Sequence, residues 1–183
     1  MARAVLNSAP RWAASLVLAA AVFVAPARGA DQTACSSKGL GREIQALQQQ
    51  MTAGAFYKEL LLRFGKPLTC SVNLQNGRTN LKYTFQHGAQ LITRTDPKIE
   101  FSEQRVELVH MDSARAIALL KRAELDAYRP GGCGISWTSG EEESPAGAGG
   151  TREIVYRGDT CNCQARLIYM NNYVVILVLR SAC

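Results

Sequence analysis

Twice in this chain a proline stands where helical spacing gives way to strand alternation, with a cysteine three residues beyond it. The two junctions are Lys66-Pro67-Leu68-Thr69-Cys70 and, 63 residues later, Arg129-Pro130-Gly131-Gly132-Cys133. Proline has no amide proton for the helical ladder and its ring crowds the preceding turn, so a helix must stop before each. The residues after the two cysteines correspond as well. Ser71-Val72-Asn73-Leu74 faces Gly134-Ile135-Ser136-Trp137, and each is succeeded by a turn, a Thr and a segment carrying a tyrosine, Tyr83 or Tyr156. The expected fold class is α+β, a helix followed by an antiparallel β-meander. Tandem repetition of that unit and chance recurrence of a common helix-then-hairpin order both stay open.

Before the first junction Ile44, Leu47 and Met51 have helical spacing, and after Gly54 Phe56, Leu60 and Phe64 continue it, with Tyr57 and Leu61 alongside. This reads as one kinked helix or as a helix-turn-helix, ended by Gly65 and Pro67. Asn76-Gly77 is a type I′ hairpin signal, because both central residues of that turn need positive φ. Leu81, Tyr83 and Phe85 then alternate with Lys82, Thr84 and Gln86, as in a strand with one wet face. His87-Gly88 reads as the next turn. Ile99–Phe101 and Val106–Leu108 read as a further hairpin flanking Ser102–Arg105, with Pro97 at its start or edge.

The second unit opens at Asp112 or Ser113, either of which can cap a helix. Ile117, Leu120, Ala123 and Ala127 form the apolar stripe, with Arg115, Lys121, Arg122 and Glu124 facing water. Ile135 and Trp137 begin the second meander, and the acid-, Ser- and Gly-rich run from Glu141 to Gly150 reads as a mobile hairpin loop. Gln164–Met170 and Tyr173–Arg180 close the chain as two strands joined at Asn171-Asn172, whose side chains suit a left-handed turn. Val174 to Leu179 is apolar on both parities, the mark of a central strand covered on both sides.

The first 29 residues set the compartment. Arg3 and Arg11 precede the apolar run Trp12–Ala25, and Pro26-Ala27-Arg28-Gly29 offers the small residues of a signal-peptidase site. The run is too short to span a bilayer. The expected organisation is a signal peptide over 1–29, a first helix-plus-meander unit over 30–111 and a second over 112–183, or one continuous domain in place of the two units. Removing the leader leaves 154 residues with 18 basic against 15 acidic ones, a mild and scattered excess that does not argue for nucleic acid or for a membrane surface. The protein is therefore expected in the periplasm or the medium, with no membrane insertion once the leader is gone.

All six cysteines (Cys35, Cys70, Cys133, Cys161, Cys163 and Cys183) lie in the exported part, and in an oxidising compartment an even count reads as up to three disulfides. Read as a strand, Cys161-Asn162-Cys163 puts two sulfurs on one face, and the final hairpin returns Cys183 beside them. One of the pair would then bond Cys183 and the other Cys133, leaving Cys35 for Cys70. Left as thiols, Cys161 and Cys163 could instead exchange disulfides or hold a soft metal.

A catalytic set is not evident. His87 at a turn and His110 beyond a strand end are the only histidines, neither at ligand spacing with another donor. Glu141-Glu142-Glu143 sits where nothing would separate the pKa values of an acid and a base. The aromatics on strands are a different matter, because Trp and Tyr anchor interfaces as well as cores. Trp137, Tyr83, Tyr156 and Tyr169 are the candidate binding residues.

In architecture the chain resembles tandem helix-plus-sheet repeat proteins of the β-lactamase inhibitor protein type and the small outer-membrane assembly lipoproteins. The resemblance rests on Met51-Thr52 opening a helix, Leu60 to Leu62 within it, Phe64-Gly65-Lys66-Pro67 closing it, and the hairpins after it. It implies an arrangement of elements and transfers no functional residue. The sequence thus points to an exported, non-catalytic protein-binding module, inhibitor-like or envelope-assembly-like, with no cofactor and an unidentified protein partner. The alternative is an envelope thiol-redox or soft-metal-binding protein using Cys161 and Cys163.

Overall fold

The computed structural model describes residues 41–127, 133–143, 151–159 and 162–182. The leader, Cys35, the Arg129-Pro130 junction, residues 144–150, Cys161 and Cys183 lie outside the described residues. Among those described, three helices pack on one antiparallel sheet of eight strands, which makes the fold α+β. The helices are α1 (Arg42–Ala53), α2 (Ala55–Phe64) and α3 (Ser113–Ala127). Strands β1 (Thr69–Gln75), β2 (Arg78–Thr84), β3 (Gln90–Asp96) and β4 (Phe101–Met111) come after α2, and β5 (Glu141–Glu143), β6 (Thr151–Arg157), β7 (Gln164–Met170) and β8 (Tyr173–Ala182) come after α3. The strand order is β1-β2-β3-β4-β8-β7-β6-β5, so two meanders are joined edge to edge through their last strands. None of the described helices is long and apolar enough to cross a membrane.

The turns form where the local chemistry dictates. Gly54 takes extended dihedrals (φ −74°, ψ 161°) and splits the first helical stretch into α1 and α2. Gly65, at φ 74° and ψ −161°, ends α2 in a positive-φ extended conformation open essentially to glycine alone. Asn76 (φ 55°) and Gly77 (φ 81°) make the β1–β2 turn, and Asn171 (φ 57°) opens the β7–β8 turn. Asp112 caps α3 by accepting the Arg115 amide at 2.9 Å.

Period-two alternation then sorts each strand between two faces. Cys70, Tyr83, Leu91, Val106, Leu177, Leu167 and Ile154 are successive cross-strand partners on the inner face. That face forms one core with Met51, Phe56 and Leu60 of the first helices and Ala116, Leu119, Leu120 and Ala123 of α3. Two carboxylates tie α2 to α3. Asp126 accepts the Ala55 amide at 2.9 Å, and the buried Glu59 accepts from Arg115 at 2.6 Å.

Several expectations need correction. Ser102–Arg105 lies near the start of the continuous strand β4, and the hairpin bends instead at Pro97–Glu100. Glu103 and Arg105 lie on the face opposite Val106, where Glu103 pairs with Arg94, while Ser102 and Gln104 share the side of Val106 and stand against Thr95 and Thr93, so polarity there marks half-buried strand and no turn. Glu141–Glu143 is a strand paired to β6, with Glu141 bonded to Arg157. The second meander begins there, while Ile135 makes only an isolated bridge to Gly158. Ser71–Leu74 is regular strand and Gly134–Trp137 is not, so the residue-by-residue correspondence of the halves does not hold at that point. Asn162 takes φ 45° in a turn and Cys163 precedes β7, so neither residue is in the strand expected there. Cys163 bonds to Cys133, one of the expected partners. Cys70 is disulfide-bonded too, its partner lying outside the described residues.

Candidate functional site

The four aromatic residues that the sequence singles out all lie on the helix side. Tyr83 is buried beneath α1 and α2, where its hydroxyl accepts from Gln48 at 3.0 Å and its ring meets Tyr57 edge-on at 5.4 Å. Tyr169 is buried beneath the start of α3 and donates to the Ser113 hydroxyl at 3.0 Å. Tyr156 is buried beneath Trp137, with ring centroids 5.4 Å apart. Burial raises the hydroxyl pKa of both Tyr83 and Tyr156 above the ordinary 10.0. These three tyrosines are core residues, which a partner could reach only by displacing what covers them.

Trp137 is half-buried, and its setting is a clamp. Its indole N–H donates to Glu124 Oε2 at 3.1 Å, while Glu124 Oε1 accepts the Ile135 amide at 3.2 Å. Lys121 stands over the indole ring at 5.9 Å. Helical spacing assigns Glu124 to water, yet it is only 8% exposed. Turned into the protein, its carboxylate holds the segment after Cys133, itself bonded to Cys163, against α3. The segment also needs Gly158 without a side chain, since a Cβ there would collide with the Cys133 carbonyl.

The opposite face of the sheet is covered by none of the described helices. Across its middle, Ile92, Val178 and Val155 alternate with Lys82, Arg105 and Arg166, an arrangement in which long cationic stems can shelter short aliphatic neighbours. The three aliphatics are indeed buried. Charges there are paired between and along strands, Arg105 with Glu107 at 2.6 Å and Arg166 with Glu153 at 3.0 Å.

Toward the β7–β8 turn the same face becomes apolar. Leu108 (52% exposed), Met170 (50%) and Tyr173 (55%) reach solvent, beside the half-buried Ile168 and Ile176. The cause is an irregularity in β4. Between the pairs Glu107–Ile176 and Met111–Val174, residues 108 to 110 stand against Val175 alone, so β4 bulges. Val106, Val109 and Met111 reach the core, while Leu108 (φ 58°) and His110 (φ 43°) are turned outward in the left-handed conformation. His110, which the sequence pattern puts beyond the strand end, lies within this bulge, its ring 6.0 Å from that of Tyr173. Two non-glycine residues held in this region are costly, and such strain persists only where surrounding structure enforces it. Arg63 supplies part of that restraint by donating to the His110 carbonyl at 3.1 Å, and burial lowers its guanidinium pKa.

The four aromatics named from the sequence thus sit on the helix side, whereas Leu108, His110, Met170 and Tyr173, which are not among its candidate binding residues, are exposed on the other face. Parity could have found two of them. If Tyr169 points inward, Met170 and its turn partner Tyr173 point outward. Nothing local signals the β4 bulge. Comparison with protein-family models, with curated proteins and with solved structures finds no match in any of the three.

Proposed function

We propose that this protein is an exported, non-catalytic module that binds another protein through the apolar end of its helix-free sheet face. One observation carries the reading. Leu108, Met170 and Tyr173 are each half or more exposed at a place where a strained bulge holds Leu108 and His110 outward. Contiguous exposed apolar surface rimmed by charged residues is the usual mark of a protein interface, and tyrosine is among the residues that most often anchor one. Export is supported by the leader chemistry, and the Cys133–Cys163 disulfide is compatible with it. The architectural resemblance to inhibitor-type repeat proteins agrees with a binding role and adds no residue to it. The thiol or soft-metal alternative loses one of its two sulfurs, since Cys163 is bonded to Cys133.

The test is Tyr173→Ala, with the partner first obtained through the wild-type protein. The variant should retain the wild-type melt and bind that partner roughly thirtyfold more weakly, the loss of about 2 kcal/mol typical of an interface anchor. Undiminished binding would remove this end of the sheet as the interface.

A further inference from the structure

At the other end of the same face, β1–β4 and the end of β8 surround a hollow of about 570 Å³. Its size suits a small ligand. Register sets Asn73, Asn80, Arg94, Glu103 and Arg180 side by side on five neighbouring strands, a row of about 19 Å at the usual strand spacing. Three arginines line the hollow against one aspartate, and they differ in how far they are committed. Arg78 is bonded to the buried Asp96 at 2.7 Å. Arg94 meets Glu103 only at 3.4 Å and keeps about half its side chain in solvent. Arg180 lies over the Phe101 ring at 5.2 Å and has no carboxylate partner among the described residues. Beside them, the side-chain oxygen of Asn80 is buried without a donor, an uncommon state for an amide.

We propose that this hollow binds an acidic oligosaccharide, a hydroxyl-rich chain bearing a carboxylate. Among the described residues Arg180 is the lining arginine without a carboxylate partner, and it takes the carboxylate, its guanidinium already positioned on Phe101. The amides of Asn73 and Asn80 both donate and accept, and so match sugar hydroxyls, which do the same. Binding lets the orphaned Asn80 oxygen accept a hydroxyl proton. Glu103, between Arg94 and Arg180, limits the attraction to about one negative charge, which disfavours a phosphate or a polyanion. A row this long favours several sugar units over one. The site is separate from the apolar end and does not depend on the docking role proposed there.

The experiment is calorimetric titration of the intact protein with a uronate tetramer of three neutral xylose units and one glucuronate, with free glucuronic acid, with a neutral xylose tetramer and with glutarate. The uronate tetramer should bind at least about tenfold more tightly than the other three, since charge-assisted and neutral hydrogen bonds contribute together only there. Arg180→Gln should weaken it about tenfold or more with an unchanged melt, and Asn73→Ala, at an exposed edge-strand position, should weaken it several-fold. Tyr173→Ala should leave it unaltered. No heat with the uronate tetramer, equal affinity for the neutral tetramer or for glutarate, or full affinity in both Arg180→Gln and Asn73→Ala would overturn the proposal.

Discussion

Glu124 shows how a single side chain can reverse its expected role. On α3 it follows Ala123 at the border of the apolar stripe, where helical spacing alone cannot decide between water and core. The deciding partners, the Trp137 indole and the Ile135 amide, come from a segment 11 or more residues away in sequence. Glu124→Ala should destabilise the fold by about 2 to 4 kcal/mol, because two donors lose their acceptor away from bulk water. Urea melts would show this, and a loss below about 0.5 kcal/mol would mean that water replaces the carboxylate. Asp96 offers a second test at this scale. The Arg78 hydrogen bond, helped by the Lys98 amide and opposed by burial, holds its pKa below the ordinary 3.8. A carboxyl with a lowered folded-state pKa contributes fully above its ordinary value and loses that contribution as pH falls through the lowered one. Stability should therefore drop more steeply on acidification below about pH 4 in the wild type than in Asp96→Asn. Parallel acid limbs in the two proteins would contradict the assignment.

Elements are legible in the sequence wherever their signal is local. Asn76-Gly77 and Asn171 have left-handed dihedrals because those residue types tolerate them, and Asp112 caps α3 as its position suggests. The last two strands begin and pair as alternation predicts. The β4 bulge is not legible, since Leu108 is a poor left-handed residue and is held there by tertiary restraint. Leu108→Gly should relieve that strain while deleting an exposed apolar side chain. The variant should lose no stability and gain up to about 1 kcal/mol, the strain relieved less the entropic cost of glycine. Partner binding should weaken at the same time. A clear loss of stability in the melt would show that Leu108 is a packing residue, and the functional reading of the bulge would go with it.

For the whole molecule, the sequence foretells helices leading into meanders and a central last strand, and β8 does lie between β4 and β7, although the described helices cover only one of its faces and not both as expected. It could not foretell which edge strands meet, because both meanders end in strands able to pair and the choice rests on long-range packing. That choice matters for the proposed docking role. Joining β4 to β8 places the β4 bulge beside the β7–β8 turn and so assembles Leu108, His110, Met170 and Tyr173 at one end of the helix-free face. The most direct test of a docking role for that end is a photo-crosslinking amino acid placed at Tyr173 or, as a control on the helical side, at the exposed Leu62 of α2. Irradiated in the cells that make the protein, the label at 173 should give a discrete protein adduct and the label at 62 should give none. Adducts from position 62 alone, or none from 173 with the folded protein present, would contradict it.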